Sequence, residues 1–175
     1  MSLDLGESST LTDDSAAVTD EVTRLCTRKG FLAVGAVLLE RYGTCNLWAF
    51  LICLKVEQLS LVNHTLGIGA VDLLLARTAS LLRDVFRPPS LIGRVGIDEF
   101  AVLASVLSSS DCTTLLTRLS DGIDASNASG SGPILTVSGG FCQFDARHAV
   151  GIAERMAQAH QAMCTERRRP RRSLH

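Results

Sequence analysis

Arg94-Val95-Gly96-Ile97-Asp98-Glu99-Phe100 is the stretch that decides the fold. Apolar residues lead into a Gly free to take positive φ. Two adjacent carboxylates follow, and then Phe100-Ala101-Val102-Leu103. This is the pattern of a turn between two strands, at residues 91–95 and 100–105. Paired carboxylates at a hairpin tip are poor core builders. They suit a site that holds a divalent cation beside phosphates.

Working outward, residues 47–56 form an apolar run, broken only at Lys55, that reads as a buried central strand. Leu59, Val62 and Leu66 give a short helix, interrupted by Gly67 and Gly69. Residues 71–86 follow as an amphipathic helix that Pro88 and Pro89 stop. Further upstream, Asp20 reads as an N-cap. Phe31, Val34, Leu38 and Leu39 recur at helical spacing up to Tyr42, and Gly43 ends that helix. Downstream, Ser108–Ser110 and Asp111 cap a helix to about Asp124, and residues 126–132 read as a flexible loop. A strand over 134–144 carries Gly139-Gly140, the mark of a bulge or of close backbone approach. A last helix spans 146–169 and Pro170 ends it. A hairpin rules out a purely parallel sheet. The order predicts an α/β fold with a mixed, largely antiparallel central sheet flanked by helices. Residues 1–19 read as a flexible arm or linker, 20–172 as the domain and 173–175 as a tail.

At 175 residues and 46% apolar composition the chain can bury one full core. A net charge of −1 excludes nucleic acid as a partner on bulk electrostatics. The charge is polarised, with six carboxylates in the first 21 residues and five arginines in the last nine. Such ends read as solvated. The six cysteines include no CxxC pair and no zinc-ligand spacing, so they read as buried, reduced thiols of a cytoplasmic protein. The longest apolar run, 47–54, is too short to span a bilayer, and the chain does not open like a signal peptide.

Five segments, in order, resemble the GGDEF family, the diguanylate cyclase domains. Asp20-Glu-Val-Thr-Arg-Leu-Cys-Thr-Arg-Lys-Gly-Phe31 is similar to the family's opening D-x-L-T-G-L-x-N-R-R-x-F. The stretch from Lys55 through Asn63 to Asp72 is similar to D-x-D-x-F-K-x-x-N-D-x-x-G-H-x-x-G-D. The hairpin follows, with Ile97 for the second Gly. Thr136-Val-Ser-Gly-Gly140 is similar to T-x-S-x-G, and Ala159-His-Gln-Ala-Met-Cys-Thr-Glu-Arg167 to A-D-x-A-M-Y-x-A-K. The resemblance implies a fold like the palm of adenylyl cyclases and polymerases. It implies a reaction in which two facing copies, each holding GTP, build cyclic di-GMP with metal ions on the phosphates.

Residue by residue, the implied site is altered. Asp98 and Glu99 stand for the retained motif acids, and Asp98 for a metal ligand. Lys55 occupies the position of the other metal-binding Asp and is expected to pair with Asp98. A shifted alignment would instead leave Glu57 as ligand. Leu59-Ser60 replaces the Phe-Lys pair and removes a phosphate-binding charge. Ile97 is expected to resist positive φ and to crowd a nucleotide at Gly96. Asn63 and Asp72 match the family's readers of the guanine edge, which an amide and a carboxylate suit. Alternatively they serve only as a local cap and a helix opener. Arg167 and Arg171 stand where phosphate-binding cations are expected, or simply complement a helix dipole. Arg87 remains of an inhibitory R-x-x-D product site, with Ser90 in place of Asp. The four histidines read as structural or exposed.

The functional expectation is a degenerate domain of bacterial cyclic di-GMP signalling that has lost cyclase activity and acts as a regulatory or interaction module. Two alternatives stay open: a non-cyclising GTP sensor, and an active cyclase that would need Mg2+. Guanine nucleotide, a signalling protein or neighbouring domain, and a second copy of the chain are the partners considered.

Overall fold

The structure is a computed structural model, and it describes residues 18–107, 109–130, 132–147 and 150–168. The side chains of Ser109, Ser110 and 166–168 lie outside this description. So do residues 1–17 of the expected arm, Ser108, His148, Pro170, Arg171 and the tail.

The elements run β1 (Cys26–Thr27), α1 (Arg28–Thr44), β2 (Trp48–Val56), α2 (Leu59–Leu66), α3 (Ile68–Val85), β3 (Leu91–Arg94), β4 (Glu99–Val106), α4 (Ser109–Ala128), β5 (Val137–Asp145) and α5 (Ile152–Arg168). Among the described residues the sheet has five strands in the order β1-β3-β4-β2-β5. Only the short β1–β3 pairing is parallel, and the others are antiparallel. The mixed, largely antiparallel sheet expected from the hairpin is therefore present.

β2 is central because both of its faces can be buried. Phe50, Ile52 and Leu54 pack with Val71, Leu74, Leu75, Ala79 and Leu82 of α3 and with Leu119 of α4. Ala49, Leu51 and Cys53 pack with Phe31 and Leu39 of α1 and with Ile152, Met156 and Ala159 of α5. The core thus has two layers, with α3 and α4 on one side of the sheet and α1 and α5 on the other. The buried residues of α3 recur three and four apart, the stripe of a helix covering a sheet.

Several boundaries differ from those expected. Asp20 does not cap α1; Thr27 does, accepting from the Gly30 N–H at 3.3 Å. Asp20 instead accepts from the Thr23 N–H and hydroxyl at 2.8 and 2.6 Å, a separate turn before the helix. α1 runs past Gly43 to Thr44. Gly43 is needed for approach rather than termination, since a Cβ there would sit 2.7 Å from the Ala146 carbonyl oxygen. α3 starts at Ile68 and absorbs Gly69, so Gly67 alone separates α2 from α3, at φ +83°. α4 extends through Ser126 and Asn127 into the expected loop. There Arg77 donates to the Ser126 hydroxyl, and the Asn127 amide brackets the Leu135 backbone, accepting from its N–H at 2.8 Å and donating to its carbonyl at 2.9 Å. α5 begins only at Ile152. Of the six free cysteines, Cys53 and Cys112 are buried, Cys45 is exposed and three are intermediate, so burial is less general than expected.

Candidate functional site

β2 ends beside the turn that joins β3 to β4. Lys55 lies opposite Glu99 of β4 and Ser138 of β5, and the Val56 N–H donates to the Asp98 carbonyl at 2.8 Å. That register carries Lys55 to the hairpin tip. Its Nζ lies 2.9 Å from Asp98 Oδ2, with the two side chains 25% and 28% exposed. The expected pair is formed.

This arrangement does not fit a divalent cation. An ammonium has no lone pair to donate and repels a dication from the carboxylate it holds. Glu57 does not take over as a partner of Asp98. Its carboxylate accepts from the Ser138 hydroxyl at 2.6 Å, and Gln58, at φ 62°, turns the chain away into α2. Among the described residues no three His, Cys, Asp or Glu side chains converge as a metal-ligand set.

The turn is built differently from the expectation. Positive φ occurs among the described residues at Arg24, Asn46, Gln58, Gly67, Gly130 and Gly132, and not at Gly96 or Ile97. Ile97 therefore carries no backbone strain, and its side chain is 84% exposed. The Val95 and Gly96 N–H groups both donate to the Glu99 carbonyl, at 2.8 and 3.2 Å. Arg94 braces the loop from beneath, donating to the Ile97 carbonyl at 2.7 Å and pairing with Asp20 at 3.1 Å.

Burial opposes ionisation of Asp20, but the two Thr23 hydrogen bonds and the Arg94 guanidinium outweigh it and hold its carboxyl below the usual range. A depressed carboxylate contributes stability above its ordinary value and loses it as pH falls through the folded value. Asp20→Asn is therefore expected to flatten the fall in stability below about pH 4. Urea denaturation midpoints measured across acid pH check this. Parallel curves for variant and wild type would show that Asp20 is not the group.

Asn63 and Asp72 lie on either side of the α2–α3 junction, both exposed. Neither fills the local role that was the alternative. The Gly67 N–H is taken by the Asn63 backbone carbonyl at 3.0 Å, and α3 has no acidic residue in its first turn and no side-chain cap. Leu59 is buried and Ser60 exposed at the start of α2. Arg167 falls in the last turn of α5. Arg87 is exposed beyond the end of α3, and its carbonyl accepts from the Ser90 N–H at 3.1 Å.

One contact escaped the sequence reading. His160 of α5 reaches the hairpin, its Nε2 3.3 Å from Glu99 Oε1, and its Nδ1 lies 3.8 Å from the Cys164 Sγ. The four-residue spacing of His160 and Cys164 was legible. Their closeness to Glu99 was not.

The family model described as "Diguanylate cyclase, GGDEF domain" matches residues 17–173. The sequence is 27% identical over 100 residues to a protein of Escherichia coli (strain K12) named "Probable diguanylate cyclase DgcE", a stretch covering 57% of this chain and 9% of that protein. The chain therefore spans only about a tenth of that curated relative's length. Among solved structures, the GGDEF domain of TpbB (YfiN) from Pseudomonas aeruginosa superposes with a TM-score of 0.77 at 25% identity, covering 87% of this chain and 90% of that one. The GGDEF domain of DgcB from Caulobacter crescentus, in complex with c-di-GMP, gives 0.75 at 23% identity, with 87% and 91% covered. The diguanylate cyclase SiaD from Pseudomonas aeruginosa, in complex with its activator SiaC, gives 0.75 at 24% identity, with 87% and 59% covered. With its five motifs in order, its palm-like sheet and this family match over nearly the whole length, the chain belongs to the GGDEF family of diguanylate cyclase domains.

Proposed function

We propose that this GGDEF domain acts in cyclic di-GMP signalling as a regulatory module that does not itself cyclise GTP. The observation that carries the reading is the Lys55–Asp98 ion pair, 2.9 Å long, where the family places a metal between two carboxylates. With the Asp98 carboxylate held by Lys55, its charge is not available to recruit Mg2+, so no metal cofactor is assigned. Loss of the Phe-Lys pair to Leu59-Ser60 removes phosphate support as well. The module's output is then a protein contact. The SiaD structure contains an activator protein, and the partner class assigned here is likewise a signalling protein or a neighbouring domain.

A second reading, guanine nucleotide binding without turnover, is favoured by one observation. Asn63 and Asp72 are exposed beside the α2–α3 junction and are not used as helix caps. Titration of the purified protein with GTP by calorimetry, with and without Mg2+, separates the two. If Asn63 and Asp72 read the base, affinity is weak and changes little with Mg2+, because Lys55 can meet a phosphate directly. Asn63→Ala and Asp72→Ala should each cost about 1–3 kcal/mol of binding if they donate to and accept from the base. No detectable heat with GTP leaves the interaction module. Binding that both variants retain unchanged removes the guanine-reading role.

A further inference from the structure

Beneath the hairpin, on the α5 side of the sheet, lies a cavity of about 480 Å³. Cys53, Glu99, His160, Cys164 and Arg28 contribute to its wall. Three of these are in sequence as a relay: Cys164 Sγ to His160 Nδ1 at 3.8 Å, then His160 Nε2 to Glu99 Oε1 at 3.3 Å. A carboxylate behind an imidazole fixes the tautomer that leaves the other nitrogen free to accept. Here Glu99 selects the proton on Nε2, and Nδ1 faces the thiol. Nucleophile, base and orienting acid in this arrangement are the general signature of an activated side chain.

We infer that Cys164 is a thiol–disulfide exchange site for small anionic disulfides, with His160 as its base and Arg28 as the cation that receives the reagent's negative charge. His160 Nδ1 takes the thiol proton. The Cys164 thiolate attacks one sulfur of the disulfide, the S–S bond breaks, and a mixed disulfide forms at Cys164. The departing thiolate takes the proton back from the imidazolium and leaves as free thiol. Cys164 is oxidised, and half of the reagent is reduced. The adduct occupies the cavity next to Glu99, so it presses on the residue that opens β4. The second thiol in the wall is not a competitor. Burial first, and then the neighbouring Cys142 and Glu99, push Cys53 up to about 12, and its S–H donates to the Met156 carbonyl. This inference is independent of the proposed function, because neither Lys55 nor a nucleotide enters it.

The test uses the full chain with glutathione disulfide or dithiobis(nitrobenzoate), and modified peptides are mapped by mass spectrometry over time. Cys45 is the internal reference, since it is the exposed cysteine and Cys164 is only partly exposed. Cys164 is expected to react roughly tenfold faster than Cys45 at neutral pH. His160→Gln should bring Cys164 down to the Cys45 rate or below. Arg28→Gln should slow the anionic reagents while leaving a neutral disulfide, hydroxyethyl disulfide, unaffected. Both substitutions are at exposed positions, and unchanged circular dichroism and melting confirm that the fold persists. The inference is overturned if Cys164 reacts no faster than Cys45, or if its rate is the same in His160→Gln.

Discussion

Purified protein incubated with GTP and either Mg2+ or Mn2+ is expected to yield no cyclic di-GMP. In-line attack on an α-phosphorus needs charge neutralisation on the phosphates and a polarised attacking oxygen, which a metal supplies. Here a Lys ammonium sits 2.9 Å from the carboxylate that would hold that metal. Losing about 4 kcal/mol of transition-state stabilisation slows a reaction roughly a thousandfold, enough to take product below detection. Ile97 adds a branched side chain to the turn, and Ser60 removes a cation, in the same direction. The informative companion is Lys55→Asp, which removes the ammonium and returns a second carboxylate. It should gain Mg2+ binding by calorimetry that the wild type lacks. Chromatographic detection of cyclic di-GMP from the wild type would falsify the inactive reading outright.

Replacing Gly140 is expected to have the largest effect on stability. A Cβ at this position would lie 2.0 Å from the Met163 backbone nitrogen and 2.5 Å from the Ala159 carbonyl oxygen. These are main-chain atoms of α5, so no side-chain rotation relieves the clash. The helix must lift off β5. Both surfaces are core there, with Ala159 and Met163 buried. Overpacking of a tight interior costs about 1–3 kcal/mol, and a backbone-to-backbone clash belongs at the upper end, about 3 kcal/mol for Gly140→Ala. Gly139→Ala is the control. Its Cβ would meet the Leu54 Cδ2 at 2.7 Å, the end of a side chain that can turn away. Urea denaturation of both variants decides. Equal, small shifts in midpoint would mean that α5 is not seated as closely as the geometry has it.

The sequence foretold the close approach at Gly139-Gly140 but not which glycine carries it. β5 pairs with β2 without interruption from Val137 to Asp145, so the bulge alternative is excluded and the approach is by α5. The same division runs through the site. Lys55 and Asp98 were legible as a pair because the family motifs fix their register and opposite charges attract. The hairpin turn differs from the expectation, because the Val95 and Gly96 N–H groups both close on the Glu99 carbonyl and Arg94, itself held by Asp20 74 residues away, donates to the Ile97 carbonyl, so no positive φ is needed at Gly96. Asp20 has the composition of an N-cap, yet the Arg94 contact 74 residues away and the Thr23 turn claim it.

By itself, then, the sequence determined the order of elements apart from β1, the largely antiparallel sheet and the family. These follow from hydrophobic periodicity, turn residues and motif spacing, all properties of short stretches. Only the tertiary structure decided where helices begin, which cysteines are covered, and that His160 and Cys164 stand in line with Glu99. Helix α5 packs against β2 and β5 through Ala159 and Met156, and that docking onto strands distant in sequence brings the His160 ring to the hairpin. Such contacts are set by packing between elements distant in the chain, where one helix position faces a strand end or solvent according to how the core closes.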